Sequence, residues 1–111
     1  MTRIKQVMPN IDDKELKYIT QSIQEGWLTE GPNSQEFIRH IKKFTGSKYA
    51  VLAPNGTLGL FLGLLALGLP RGSEVIVPSF TFFASASSVI FAGLRPVFVD
   101  VDIETFNIDG N

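Results

Sequence analysis

Residues Tyr49 to Leu60, YAVLAPNGTLGL, put a short apolar run, a Pro54-Asn55-Gly56 turn and the start of an unbroken apolar helix in direct succession. A helix from about Thr57 to Leu67 that is apolar on nearly all sides folds only when other layers cover it, so it belongs to the interior of a larger body. The junction ahead of it is also a place for an anion. The first N–H groups of a helix have no intrahelical partners and carry a partial positive charge, so a phosphate is held there without a lysine. Gly56 lets the backbone come close and Thr57 adds a hydroxyl. The plainer alternative is that Asn55 or Thr57 is simply an N-cap, the usual employment of such residues at a helix start.

Around this junction the chain reads as a helical front followed by alternating strands and helices. Asp12 and Glu15 form a capping-box pattern, and Leu16, Ile19 and Ile23 recur at helical spacing until Gly26. After a loop from Trp27 to Asn33, Ser34 is placed to cap a second helix whose stripe is Phe37, Ile38, Ile41 and Phe44, with Gly46 ending it and His40 on the solvated face. Strands are expected at Tyr49 to Ala53, Glu74 to Pro78 and Pro96 to Val101, with helices from about Thr57 to Leu67 and Phe82 to Phe91. Gly59 and Gly63, one turn apart, suggest close approach of a neighbouring element. Asp102 to Asn111 reads as a turn. The class is α/β.

Charge and composition narrow the chemistry. The 111 residues carry a formal net charge of -1, with the ten Lys and Arg scattered, so no basic face for nucleic acid is present. With no cysteine and one histidine, His40, the chain offers no disulfide and no thiolate or imidazole metal site. MTRIKQVMPN lacks the apolar core of a signal peptide, which makes a cytoplasmic protein the expectation. Tyr49 to Pro70 and Val75 to Leu94 are both uncharged and near the length of a bilayer crossing, so a small membrane protein is one alternative. Breaks at Pro54-Asn55-Gly56 and Pro78 favour buried strand and helix pairs instead, which give the same uncharged stretches.

The segment VIVPSFTFFASAS ends a buried strand at Pro78 and delivers Phe80, Phe82 and Phe83 into a loop and helix start. Such rings usually pack in a core. They can instead cover the flat face of a heteroaromatic ligand whose phosphate sits at the neighbouring helix start. Both motifs lie at the carboxyl ends of expected strands, where α/β sheets bind ligands.

Taken together and in order, GWLTEGP, NGTLGL, EVIVPSFTFFASASSVIFAG and RPVFVDVD with its ETFNID continuation resemble the start of the DegT/DnrJ/EryC1/StrS family, the nucleotide-sugar aminotransferases that use pyridoxal phosphate. The resemblance covers almost the whole chain. It implies the amino-terminal part of a fold type I large domain, a three-layer αβα body. Residues 1–111 would then belong to one major domain, with a helical front at 1–47, a strand and helix back at 48–111, and no second domain. It further implies homodimers and transfer of an amino group, commonly from glutamate, to a nucleotide-linked keto sugar. Carried over by position, Gly56 and Thr57 match the phosphate-binding turn, Leu58 adds a backbone N–H, and Phe82 matches the aromatic stacked on the pyridine ring. Thr29 and Gly31 match a loop near the sugar, although Gly31 could be a turn former. Asp100 and Asp102 resemble the DVD strand end and are read as structural carboxylates.

A transaminase also needs a Schiff-base lysine and an acidic partner for the pyridine nitrogen. The resemblance puts both beyond these residues, and Lys5, Lys14, Lys17, Lys42, Lys43 and Lys48 match no such position, so no catalytic residue is expected. The family's strand order places later strands beside Tyr49 to Ala53, which predicts open strand edges and apolar faces here. A non-catalytic phosphate-binding or regulatory module is the remaining alternative.

Overall fold

The computed structural model describes residues 7–110. Lys5 and Asn111, named above, lie outside them. The chain divides after Val51 into two compact units.

The first unit holds α1, Asp13–Gln24, and α2, Pro32–Thr45. The capping box starts α1 as its sequence predicts: Asp12 Oδ1 accepts from Lys14 N–H at 2.7 Å and Glu15 Oε2 from Asp12 N–H at 2.8 Å. Ser34 does not cap α2. The helix begins two residues earlier, with Gly31 as N-cap and Pro32 in the first turn, where proline's missing N–H is not needed. Gly46, at φ +71°, closes it in the left-handed conformation that glycine adopts freely. The apolar stripes remain uncovered among the described residues, with Leu16, Ile23 and Phe37 all more than half exposed. An amphipathic helix of this kind gains its stability from packing that this unit does not supply.

The second unit holds α3, Gly56–Ala66, β1, Glu74–Pro78, α4, Ala84–Phe91, and β2, Arg95–Val99. The strands are parallel, in register from Glu74 opposite Arg95 to Pro78 opposite Val99. Crossover through α4 is the usual way to join parallel neighbours. Val77, Val89 and Leu94 form the core, with Leu64, Val75, Ala86 and Ala92 against it. Thus α4 lies on the sheet and α3 packs against α4. Alternation along β1 sends Val77 into this core and Ile76 to the other face, which is 62% exposed.

Three expectations change here. Tyr49 to Ala53 forms no strand: the described sheet has two strands, and this segment is hydrogen-bonded to neither. A strand without a ladder partner has unpaired N–H and C=O groups and no reason to hold its pleat. A methyl group at Gly63 would meet nothing within 4 Å and at Gly59 only Ala53 Cβ at 3.8 Å, so these glycines do not mark a tight helix contact. Strand β2 stops at Val99, and Val101 pairs instead with Ile108 in an antiparallel bridge. Among the described residues no helix is long and apolar enough to cross a membrane. With its 11 residues α3 spans about 16 Å, against roughly 30 Å of hydrocarbon.

Candidate functional site

The start of α3 is built by Asn55. Its backbone is extended, at φ -163° and ψ 171°, while its carbonyl already accepts the Gly59 N–H at 3.0 Å. Its side-chain Oδ1 accepts the Leu58 N–H, also at 3.0 Å. The N-cap alternative is therefore correct for Asn55, and it consumes one of the donors assigned to an anion. What remains is smaller and well defined: the N–H groups of Gly56 and Thr57 have no partner among the described residues, and Thr57, itself half-buried, adds its hydroxyl. The first turn contains no acidic residue, so nothing there repels a phosphate. A Cβ at Gly56 would meet open space, which leaves that backbone accessible.

Helix α4 joins the parallel strands β1 and β2 and so runs back against them, which puts its amino end toward their carboxyl ends. Leu60 and Leu64 of α3 share a cleft of about 170 Å³ with Val75 to Pro78 of β1 and with Ser85, Ser88 and Val89 of α4. Its walls are apolar. The loop that follows Pro78 is held at one end by Ser79 N–H donating to Val99 O at 2.8 Å, and at the other by Thr81 Oγ1 paired with Ser85 Oγ at 2.8 Å. Phe82 lies between these ties. The residue is 77% exposed, so it does not serve the core, unlike the usual employment of such a side chain. Helix α4 starts two residues after Phe82, later than the sequence predicts, leaving Phe82 in the loop.

Thr29 and Gly31 come together in the first unit, where both line a small polar pocket of about 60 Å³ with Ser22 and Asn33. Asn33 Nδ2 donates to Ser22 Oγ at 3.0 Å and fixes α2 to α1 there. Gly31 is no left-handed turn residue. Its backbone is extended, and a Cβ would stand 3.0 Å from Trp27 Cβ, so a side chain there needs the Trp27 side chain to shift by a few tenths of an ångström.

Beyond β2 the chain makes a tight return. Asp102 Oδ1 accepts from Thr105 N–H at 2.8 Å and Glu104 N–H at 3.1 Å. The Thr105 amide, then its hydroxyl, then the Glu104 amide hold the Asp102 carboxyl below its ordinary range. The structural reading of Asp102 is correct. Among the described residues no group of His, Asp and Glu could hold a metal ion.

The sequence model of the DegT/DnrJ/EryC1/StrS aminotransferase family matches residues 9–111. The spore coat polysaccharide biosynthesis protein SpsC of Bacillus subtilis is 40% identical over 92% of the chain, and GDP-perosamine synthase of Caulobacter vibrioides is 40% identical over 98%. The chain spans only 26% and 30% of those two proteins. Among solved structures, Spr1654 of Streptococcus pneumoniae, described as a sugar aminotransferase and seen in its pyridoxal phosphate form, superposes with a TM-score of 0.82 and 35% identity. That match covers 91% of this chain and 26% of Spr1654. The E. coli GDP-4-keto-6-deoxy-D-mannose-3-dehydratase with bound hydrated pyridoxal phosphate superposes with a TM-score of 0.87 and 32% identity, over 98% of this chain and 30% of the enzyme. The architecture described above is therefore the amino-terminal portion of that pyridoxal phosphate enzyme fold, and the chain belongs to the DegT/DnrJ/EryC1/StrS aminotransferase family.

Proposed function

We propose that this chain supplies the phosphate cradle and the ring-facing aromatic of a pyridoxal phosphate-dependent aminotransferase acting on nucleotide-linked keto sugars. In this reading the N–H groups of Gly56 and Thr57 and the Thr57 hydroxyl bind the cofactor phosphate. Leu58 joins them when its N–H is released by, or shared with, Asn55. Phe82 lies against the pyridine ring, and Thr29 and Gly31 border the sugar. The cofactor, when bound, supplies an electron sink that no side chain offers. The chain's own residues bind and orient it; none of them moves a proton, and residues 1–111 alone do not transaminate. Glutamate as donor, a homodimer and a cytoplasmic location go with this reading.

The observation that carries it is the pair of partnerless amides at a helix start with a hydroxyl beside them and no carboxylate in the turn. Two relatives of like similarity, one described as a sugar aminotransferase and one a dehydratase, share this stretch and its cofactor. That favours a role in holding the cofactor over a role in choosing the reaction.

Pyridoxamine 5'-phosphate is the suitable probe, because without an aldehyde it cannot condense with the chain's lysines. Equilibrium dialysis should retain it and leave unphosphorylated pyridoxamine free. Thr57→Val should weaken retention at least about tenfold, since a hydrogen bond to a charged group is worth about 1.5–3 kcal/mol. Equal retention of both compounds, or an unaffected variant, contradicts the reading.

A further inference from the structure

We infer that Phe106 is a positioning residue for Phe82, acting through Phe80 and the loop between β1 and α4; the inference rests on Phe82 being the ring-facing aromatic.

Phe106 has φ +56°, in the left-handed region that bulky side chains rarely enter and that persists only where the surroundings dictate it. Here they do. Phe106 N–H donates to Asp102 O at 2.8 Å, and Asp102 N–H to Asn107 O at 2.9 Å. The Asp102 carboxylate holds the intervening turn, and the Val101 to Ile108 bridge closes the return behind it.

The unusual backbone aims the ring at one partner. The Phe80 and Phe106 centroids are 5.6 Å apart with planes tilted by 43°, a favourable geometry for two aromatic rings. Yet the residues are 68% and 57% exposed, so the contact adds little to a core. What it touches is the loop carrying Phe82, two residues beyond Phe80. The hydrogen bonds to that loop lie at Ser79, at Thr81 with Ser85, and at the Phe82 carbonyl, which accepts the Ser85 N–H at 3.0 Å; none of them holds a phenylalanine ring. Phe80 adds the side-chain restraint ahead of Phe82, and its partner is supplied by the turn that follows β2. A strained backbone conformation that delivers an exposed ring to the loop before α4 has a use if that loop must present Phe82 in one place.

The test separates ring from phosphate. In Phe106→Ala, affinity for pyridoxamine 5'-phosphate should fall roughly threefold to tenfold, the range of one aromatic pair, while inorganic phosphate binding stays as in the parent chain. Phe106→Gly removes the same ring without backbone strain and should behave alike, which guards against a variant that fails to fold. Phe106→Tyr should restore the parent affinity. Equal weakening of both ligands, or of neither, overturns the inference. Backbone relaxation gives a second reading without any ligand: the order parameter of the Phe82 amide should drop from about 0.85 toward 0.6 in Phe106→Gly. An unchanged value overturns the inference. Should the parent chain bind neither ligand, the cofactor reading fails, and the Phe82 amide decides the loop restraint by itself.

Discussion

Replacing Asn55 with alanine should move stability and anion binding in opposite directions. The carboxamide that caps α3 is also what occupies the Leu58 N–H, at 3.0 Å. Deleting it removes one capping bond and leaves the backbone bond from Gly59 to the Asn55 carbonyl in place. Loss of such a cap costs about 1 kcal/mol, within a range of about 0.5–2, and lowers the melting temperature of a domain this size by about 4–8 °C. The same deletion adds a third partnerless amide to those of Gly56 and Thr57. A phosphate, itself a helix-capping group, then finds one more donor and one competitor fewer. Denaturant unfolding of both proteins, with and without inorganic phosphate at matched ionic strength, measures both effects. At a phosphate concentration near a hundred times its dissociation constant the stabilisation is about 2.7 kcal/mol, and it should be larger in Asn55→Ala than in the parent at equal concentration. A variant as stable as the parent would show that the cap is not made. A variant that phosphate stabilises less would show that the Leu58 N–H is not the group in competition.

Three further outcomes follow from particular contacts. Val89, 2% exposed in the small core, should cost about 2 kcal/mol as Val89→Ala in denaturant unfolding, and a negligible change would mean that α4 is not seated on the sheet. The Asp102 carboxyl is held below its usual range by the Thr105 and Glu104 groups, so its contribution is complete above the ordinary aspartate value and is lost as pH falls through the depressed one. Exchange protection of the Thr105 amide should therefore persist to a lower pH than an ordinary aspartate would allow, and Asp102→Ala should abolish it; protection that ignores the substitution contradicts the turn assignment. Phe82→Leu should weaken pyridoxamine 5'-phosphate about fivefold and leave inorganic phosphate unaffected, as expected for a ring that meets only the heterocycle. Equal loss for both ligands would place Phe82 at the phosphate instead.

Local signals were readable where one residue decides the backbone. Asp12 with Glu15 announced α1, Gly46 ended α2, and the apolar run closed by Pro78 marked β1 at its observed bounds, Glu74 to Pro78. The start of α2 was misplaced because Ser34 and Pro32 are both good first-turn residues, and the close packing of Trp27 on Gly31 leaves no mark in the sequence pattern. Tyr49 to Ala53 has a strand's composition without a strand's partners, and pairing is a property of the sheet rather than of the segment. At the site, the helix start at Gly56 was legible from its turn chemistry. The commitment of the Leu58 amide to Asn55 was open as an alternative until the side-chain geometry resolved it. Phe106 gave no signal at all, since nothing in ETFNID marks a phenylalanine for the left-handed region.

A phosphate ester of a pyridine held at the start of α3 touches the amides of Gly56 and Thr57. Amide chemical-shift mapping of the labelled chain during a titration with pyridoxamine 5'-phosphate tests this contact most directly. The largest shifts are expected at Gly56 and Thr57, together with movement of the Phe82 ring resonances, all saturating at one concentration. Shifts centred elsewhere, in the groove lined by Tyr18, Phe37 and His40 for example, or a response that never saturates, would contradict it.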